Sequence, residues 1–131
     1  VLFRSRNRNF LQPEYFSVLT RHRAAHVFNS WQDMPPVDEQ LALPGSRSTA
    51  DFVAARFLLK PGRKYGDAVK QFSPYERVQD VYPAGRRAAA GLIKTALAGP
   101  APGQAYVYVN NRLEGNALES IAAIVDEANA N

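Results

Sequence analysis

Residues 105–117 read AYVYVNNRLEGNA, and the change of chemistry inside that stretch decides the fold. The first part is a buried strand by composition, Tyr and Val alternating from Tyr106 to Val109. Side chains of a strand alternate between faces, so Tyr106, Tyr108 and Asn110 share one side and Val107, Val109 and Asn111 the other. The valines suit a layer of helices. Beyond them the chain turns abruptly polar with Asn110, Asn111, Arg112 and Glu114. Gly115 then offers a tight turn, and Asn116 stands three residues before Glu119 with the spacing of a capping box that opens a helix. Strand, polar tip, turn and helix in that order make one βα unit. In such architectures ligands gather at the carboxyl ends of strands, where loops vary freely and helix N-termini leave N–H groups unpaired.

Two further runs repeat the pattern upstream. AAHVFNSW (24–31) is a short apolar strand that ends in Asn29, Ser30 and Trp31. DFVAARFLL (51–59) is nearly continuous in apolar character except for Arg56. Such strands belong to parallel sheets covered by helices. Pro13 at a first helical position with Glu14 in the first turn predicts a helix before the first of them. Residues 32–49 read as a proline-rich loop, Gly85 to Ala98 as a helix stopped by Gly99 and Pro100, and the chain closes on a helix whose apolar stripe is Leu118, Ile121, Ala122 and Val125. The alternation that places Asn110 also puts Asn29 with Ala25 and Val27, and Arg56 with Phe52 and Ala54. With matching registers, Asn29, Arg56 and Asn110 converge on one face as a donor-rich cup.

With 131 residues, 46% of them hydrophobic, the chain can build one core and not two. No window approaches the ~18 to 20 apolar residues of a membrane span, so a soluble, cytoplasmic protein is expected, with no membrane partner. The absence of cysteine removes disulfides and thiolate metal sites, and a net charge of +4 leans mildly toward anionic partners. The opening VLFRS matches what the end of a sequencing-library adapter would encode. Val1 to Ser5 are therefore read as non-native residues, and residues 6–131 as the domain.

The segments RNRNFLQPEYFSVLTRHRAAHVFNSW, ADFVAARFLLKPGRKY and AYVYVNNRLEGNA together resemble the carboxyl half of the YecE-like family, domain of unknown function 72, over roughly residues 6–128. That resemblance implies an α/β fold of TIM type, a (β/α) barrel of about 250 residues of which this chain holds the later half, parallel strands with outer helices. It implies a pocket at the strand ends, completed by a missing N-terminal half. Positions that match the family pattern are Arg6 or Arg8, Asn29 and Trp31, Arg56, and Asn110, Asn111, Arg112 and Asn116. The family name records no reaction, and fold alone supplies none.

No standard catalytic signature is present, so no catalytic residue, cofactor or metal site is assigned, and whether the protein is an enzyme stays open. His26 faces away from Asn29 and reads as a packed histidine; His22 reads as a helix C-terminal residue. A guanidinium inside an apolar strand must find an anion or carbonyls, so Arg56 is either a ligand contact or one half of an ion pair with Asp51 or Glu114. The amides of Asn110, Asn111 and Asn116 can bind an anion or hold a loop. Trp31 is a pocket wall, a plug, or a base-stacking platform. Glu114 is a general acid or base, or a salt-bridge partner of Arg112 or another neighbour, and Lys60, Arg63 and Lys64 are an anion-steering loop or a solvated one. The leading expectation is binding of a small phosphate- or carboxylate-bearing ligand by Arg56 and the strand-end amides with Asn29, Arg112 and Trp31. The alternatives are nucleic-acid phosphate binding and a fragment inactive by itself.

Overall fold

The computed structural model describes residues 1–99 and 103–130. Its elements run β1 (Leu2–Phe3), a 3-10 turn (Arg8–Phe10), α1 (Pro13–Arg21), β2 (Ala25–Ser30), α2 (Val37–Leu41), β3 (Phe52–Phe57), α3 (Tyr65–Phe72), α4 (Pro83–Ala98), β4 (Gln104–Val109) and α5 (Ala117–Asn129). The four strands form one sheet in chain order, every neighbouring pair parallel. The fold is therefore α/β with an open parallel sheet that does not close on itself. Leu2 and Phe3 pair with Ala25 and His26, so the first residues of the chain form its first strand.

The register meets the condition on which convergence of the strand tips depends. Asn29 lies opposite Arg56, and Arg56 opposite Tyr108. One face carries Phe28, Ala55, Phe57, Val107 and Val109, and these pack with Val37 of α2, Ala88, Ala89 and Leu92 of α4 and Ile124 of α5. The other face carries Arg56, with Tyr106 and Tyr108 left 42% and 51% exposed. A smaller cluster of Leu59, Ala68 and Phe72, flanked by Trp31 and Tyr75, holds α3 at the carboxyl ends of the strands.

Helix starts follow their local signals. Pro13 and Pro83 stand at the first turns of α1 and α4, and the Asn116 side chain accepts from the Glu119 N–H at the start of α5. The stop expected after Ala98 is met at Gly99, whereas Pro100 lies outside the described residues. Two expectations need correction. The segment 32–49 is not all loop: α2 forms just after Pro36 and buries Val37 and Gln40, a helix too short for periodicity to reveal. The stripe Leu118, Ile121, Ala122 and Val125 faces outward, Leu118 being 78% exposed, while Ser120 and Ile124 are buried. The Ser120 hydroxyl donates to the buried Glu114 carboxylate, which sets the helix phase against its own hydrophobic pattern.

His26 is the packed residue its face predicts. Its ring meets Tyr15, Phe16 and Phe28 edge-on, Nδ1 lies 3.0 Å from the Tyr15 hydroxyl and Nε2 lies 3.4 Å from Gln40 Oε1. The Gln40 amide nitrogen already donates to the Asn29 and Pro35 carbonyls, so its Oε1 accepts from Nε2–H and Tyr15 donates to Nδ1. That neutral tautomer satisfies every partner, and burial lowers the His26 pKa from 6.5 to about 4, while the Gln40 bond opposes the shift. An unfolded chain takes up the proton near 6.5 and the folded one near 4. Stability from this residue is therefore full above about pH 6.5 and drains as pH falls toward 4, by on the order of 3 kcal/mol. Urea midpoints measured from pH 7 to 4 should show that slope, and His26→Gln should flatten it relative to the parent chain whatever it does to absolute stability.

Candidate functional site

The strand tips are tied together before any site is built. Ser30 O accepts the Leu58 and Leu59 N–H groups, and the Asn110 N–H donates to Phe57 O at 3.0 Å, so β2, β3 and β4 end side by side. The loop after β4 is then held by its own amides. Asn110 Oδ1 accepts from the Arg112 N–H at 2.9 Å and from Arg112 Nη1 at 3.1 Å. Asn111 Oδ1 accepts from the Ala117 N–H at 2.8 Å, and the Asn116 amide nitrogen donates to Tyr75 O at 2.9 Å. Glu119 completes only half of a capping box: its carboxylate accepts from the Val78 N–H rather than from Asn116.

Glu114 anchors this loop. Its carboxylate is fully buried and accepts from the Tyr82 N–H at 2.6 Å, from Arg86 Nε at 2.9 Å and Nη2 at 3.1 Å, and from the Ser120 hydroxyl. The partner is thus Arg86 on α4 and not Arg112, and the arrangement is structural. Next to it, Gly115 holds φ +124°, and a Cβ there would stand 2.5 Å from Arg77 O and 3.0 Å from Gln79 N. Only glycine allows the 77–80 segment to approach closely enough for the Gln79 and Asp80 N–H groups to reach Glu114 O.

With the loop fixed, a cavity of about 180 Å³ opens at the strand ends, lined by Arg6, Trp31, Arg56, Leu58, Leu59, Tyr65, Asn110 and Arg112. Among the described residues the ion pairs are Arg63–Asp80 and Arg86–Glu114, so none of the three cavity arginines has a carboxylate partner. Asp51 is exposed and Glu114 is committed to Arg86, which removes both candidate partners of Arg56. Burial, and then the positive charges of Arg4 and Arg6, push the Arg56 guanidinium below its ordinary pKa. Aromatic rings hold the other two. The Arg6 guanidinium lies 4.0 Å over the Trp31 ring, and that of Arg112 lies 4.6 Å over Tyr65 and 6.0 Å from Tyr75. Arg112 Nε is buried without a hydrogen-bond partner.

A family model described as "Protein of unknown function DUF72" matches residues 2–131. The chain belongs to the DUF72 family. No curated protein and no solved structure matches it.

Of the positions that the DUF72 resemblance singled out, the cavity gathers Trp31, Arg56, Asn110 and Arg112, and of Arg6 and Arg8 it takes Arg6. Asn29 is fully buried on the same sheet face, its amide nitrogen 3.4 Å from Ser5 O and its Oδ1 unpartnered, and it does not line the cavity. Asn111 and Asn116 are engaged in the loop and also lie off the cavity wall. Arg63 bonds Leu113 O and pairs with Asp80, so the 60–64 loop is tied down rather than free to steer a ligand. Tyr65 and Arg86 escaped notice, the first because it opens a helix after a basic loop, the second because its partner lies 28 residues away. Among the described residues no helix is long and apolar enough to cross a membrane, and no group of three histidines or carboxylates could hold a metal ion.

Replacing Arg86 by alanine would strand a buried carboxylate, so Arg86→Ala should lower the stability of this DUF72 chain by about 3 to 5 kcal/mol. The double variant Arg86→Met/Glu114→Gln should recover much of the loss, both read from urea unfolding.

Proposed function

We propose that this protein binds a small anionic ligand, bearing phosphate or carboxylate, at the carboxyl ends of its strands, and that its sheet is the later part of a TIM-type barrel. The observation that carries the reading is that Arg6, Arg56 and Arg112 converge on one cavity with no carboxylate among the described residues to neutralise them. Guanidinium groups gathered on one cavity repel, and an arriving anion relieves the repulsion while making charge-assisted hydrogen bonds. Among the described residues the cavity wall offers no carboxylate or imidazole, so the chemistry these residues supply is binding and charge stabilisation. Further strand ends of a complete barrel would border the same cavity and would bring any acid or base.

The nucleic-acid alternative gains nothing from Trp31. Its ring is covered on one side by Arg6 and packs beside Leu59, Ala68 and Phe72, leaving it a support for a guanidinium rather than a platform for a base.

Titration calorimetry with inorganic phosphate tests the proposal. Arg56→Ala should weaken binding by roughly 1.5 to 3 kcal/mol, the worth of a charge-assisted contact, while urea unfolding shows little loss of stability because Arg56 has no ion-pair partner among the described residues. Asn110→Ala should weaken binding as well, by releasing Arg112. A large stability loss on Arg56→Ala with unchanged binding would overturn the reading.

A further inference from the structure

The three cavity arginines differ in what they leave available, and that difference narrows the ligand. A guanidinium stacked on an aromatic ring spends its face on the ring and keeps its in-plane N–H edge for hydrogen bonding. Arg6 over Trp31 and Arg112 over Tyr65 are held this way. Among the described residues neither the Arg6 nor the Arg56 side chain makes a hydrogen bond, and Arg112 uses Nη1 on Asn110 while Nε remains buried and unpaired. Three guanidinium groups thus border one cavity, that of Arg112 partly spent on Asn110, and they come from the segment after β1, from β3 and from the loop after β4.

Building on the anion-binding reading, we infer that the site is made for a tetrahedral oxyanion, a phosphate or compact phosphomonoester, rather than for a carboxylate. A carboxylate presents two oxygens in one plane and satisfies one or two forks. A phosphate group presents three strong acceptor oxygens pointing in different directions and carries close to two negative charges, so each guanidinium finds its own oxygen. Size agrees with this. The cavity, about 180 Å³, has room for a phosphate group.

The test is calorimetric titration of the whole chain with inorganic phosphate, acetate and malonate at equal ionic strength and pH 8. Malonate matches the charge of phosphate and differs in shape. Phosphate should bind at least about tenfold more tightly than malonate, and acetate most weakly. Arg56→Lys keeps the charge and loses the fork, and should cost phosphate about tenfold in affinity. Arg6→Lys, at an exposed position, should act in the same direction and serves if Arg56→Lys fails to fold. Malonate binding as tightly as phosphate, with both weakened by Arg56→Ala, would overturn this inference and leave the anion site standing. Phosphate affinity unchanged in both lysine variants would also overturn it. Absence of Arg56-dependent binding for all three anions would remove the inference and the anion site together.

Discussion

One buried carboxylate sets the geometry on which the rest of this fold relies. Glu114 sits at zero exposure where the turn after β4 meets the start of α4 and the segment from Tyr75 to Tyr82, and its hydrogen bonds reach each of these. A buried ion pair gains little net energy over an apolar replacement, because removing both charges from water costs nearly what their attraction returns. What it does supply is position. Arg86 and the Tyr82 N–H leave Glu114 one place to sit, Gly115 lets the neighbouring backbone close over it, and Arg112 and Asn110 are delivered to the strand ends two and four residues earlier in the same turn.

The arginines divide by environment rather than by sequence context. Arg86 and Arg63 have acidic partners and serve the fold. Arg6, Arg56 and Arg112 have none among the described residues, and two of them rest on aromatic rings instead. A ring stabilises a cation through its quadrupole without neutralising it, so the charge stays available to a third party. A carboxylate in the place of Trp31 or Tyr65 would have held the same side chain and cancelled its field.

Strand identity and the face each side chain takes were legible because parallel strands announce themselves: short β-rich runs, each ending in polar residues, leave one consistent alternation. That alternation put Arg56 on the face of Asn29, with the register left to the structure, and placed His26 on the opposite face. It could not settle α5, where a hydroxyl reaching for Glu114 outweighs the apolar stripe and turns Leu118 outward. Nor could it find Arg86, since pairing between a helix and a distant turn leaves no mark in local pattern. The amides of 110–116 looked like ligand donors and loop fasteners alike. The side-chain oxygens of Asn110, Asn111 and Asn116 fasten the turn, and only three-dimensional neighbours could reveal that.

The outer position of β4 has a consequence for how the molecule behaves in a crowded solution. Gln104 to Val109 presents an unpaired row of N–H and C=O groups along its free side, and the residues on it are Gln, Ala, Tyr and Val, with no lysine or proline to discourage a visitor. Tyr106 and Tyr108 add exposed ring surface beside that row. Hydrogen bonding along a strand edge asks only for an extended segment, not for a complementary shape. The sheet is therefore a growing surface at one side, and whatever extended chain lies against β4, from the same molecule or another, sets how far the sheet extends.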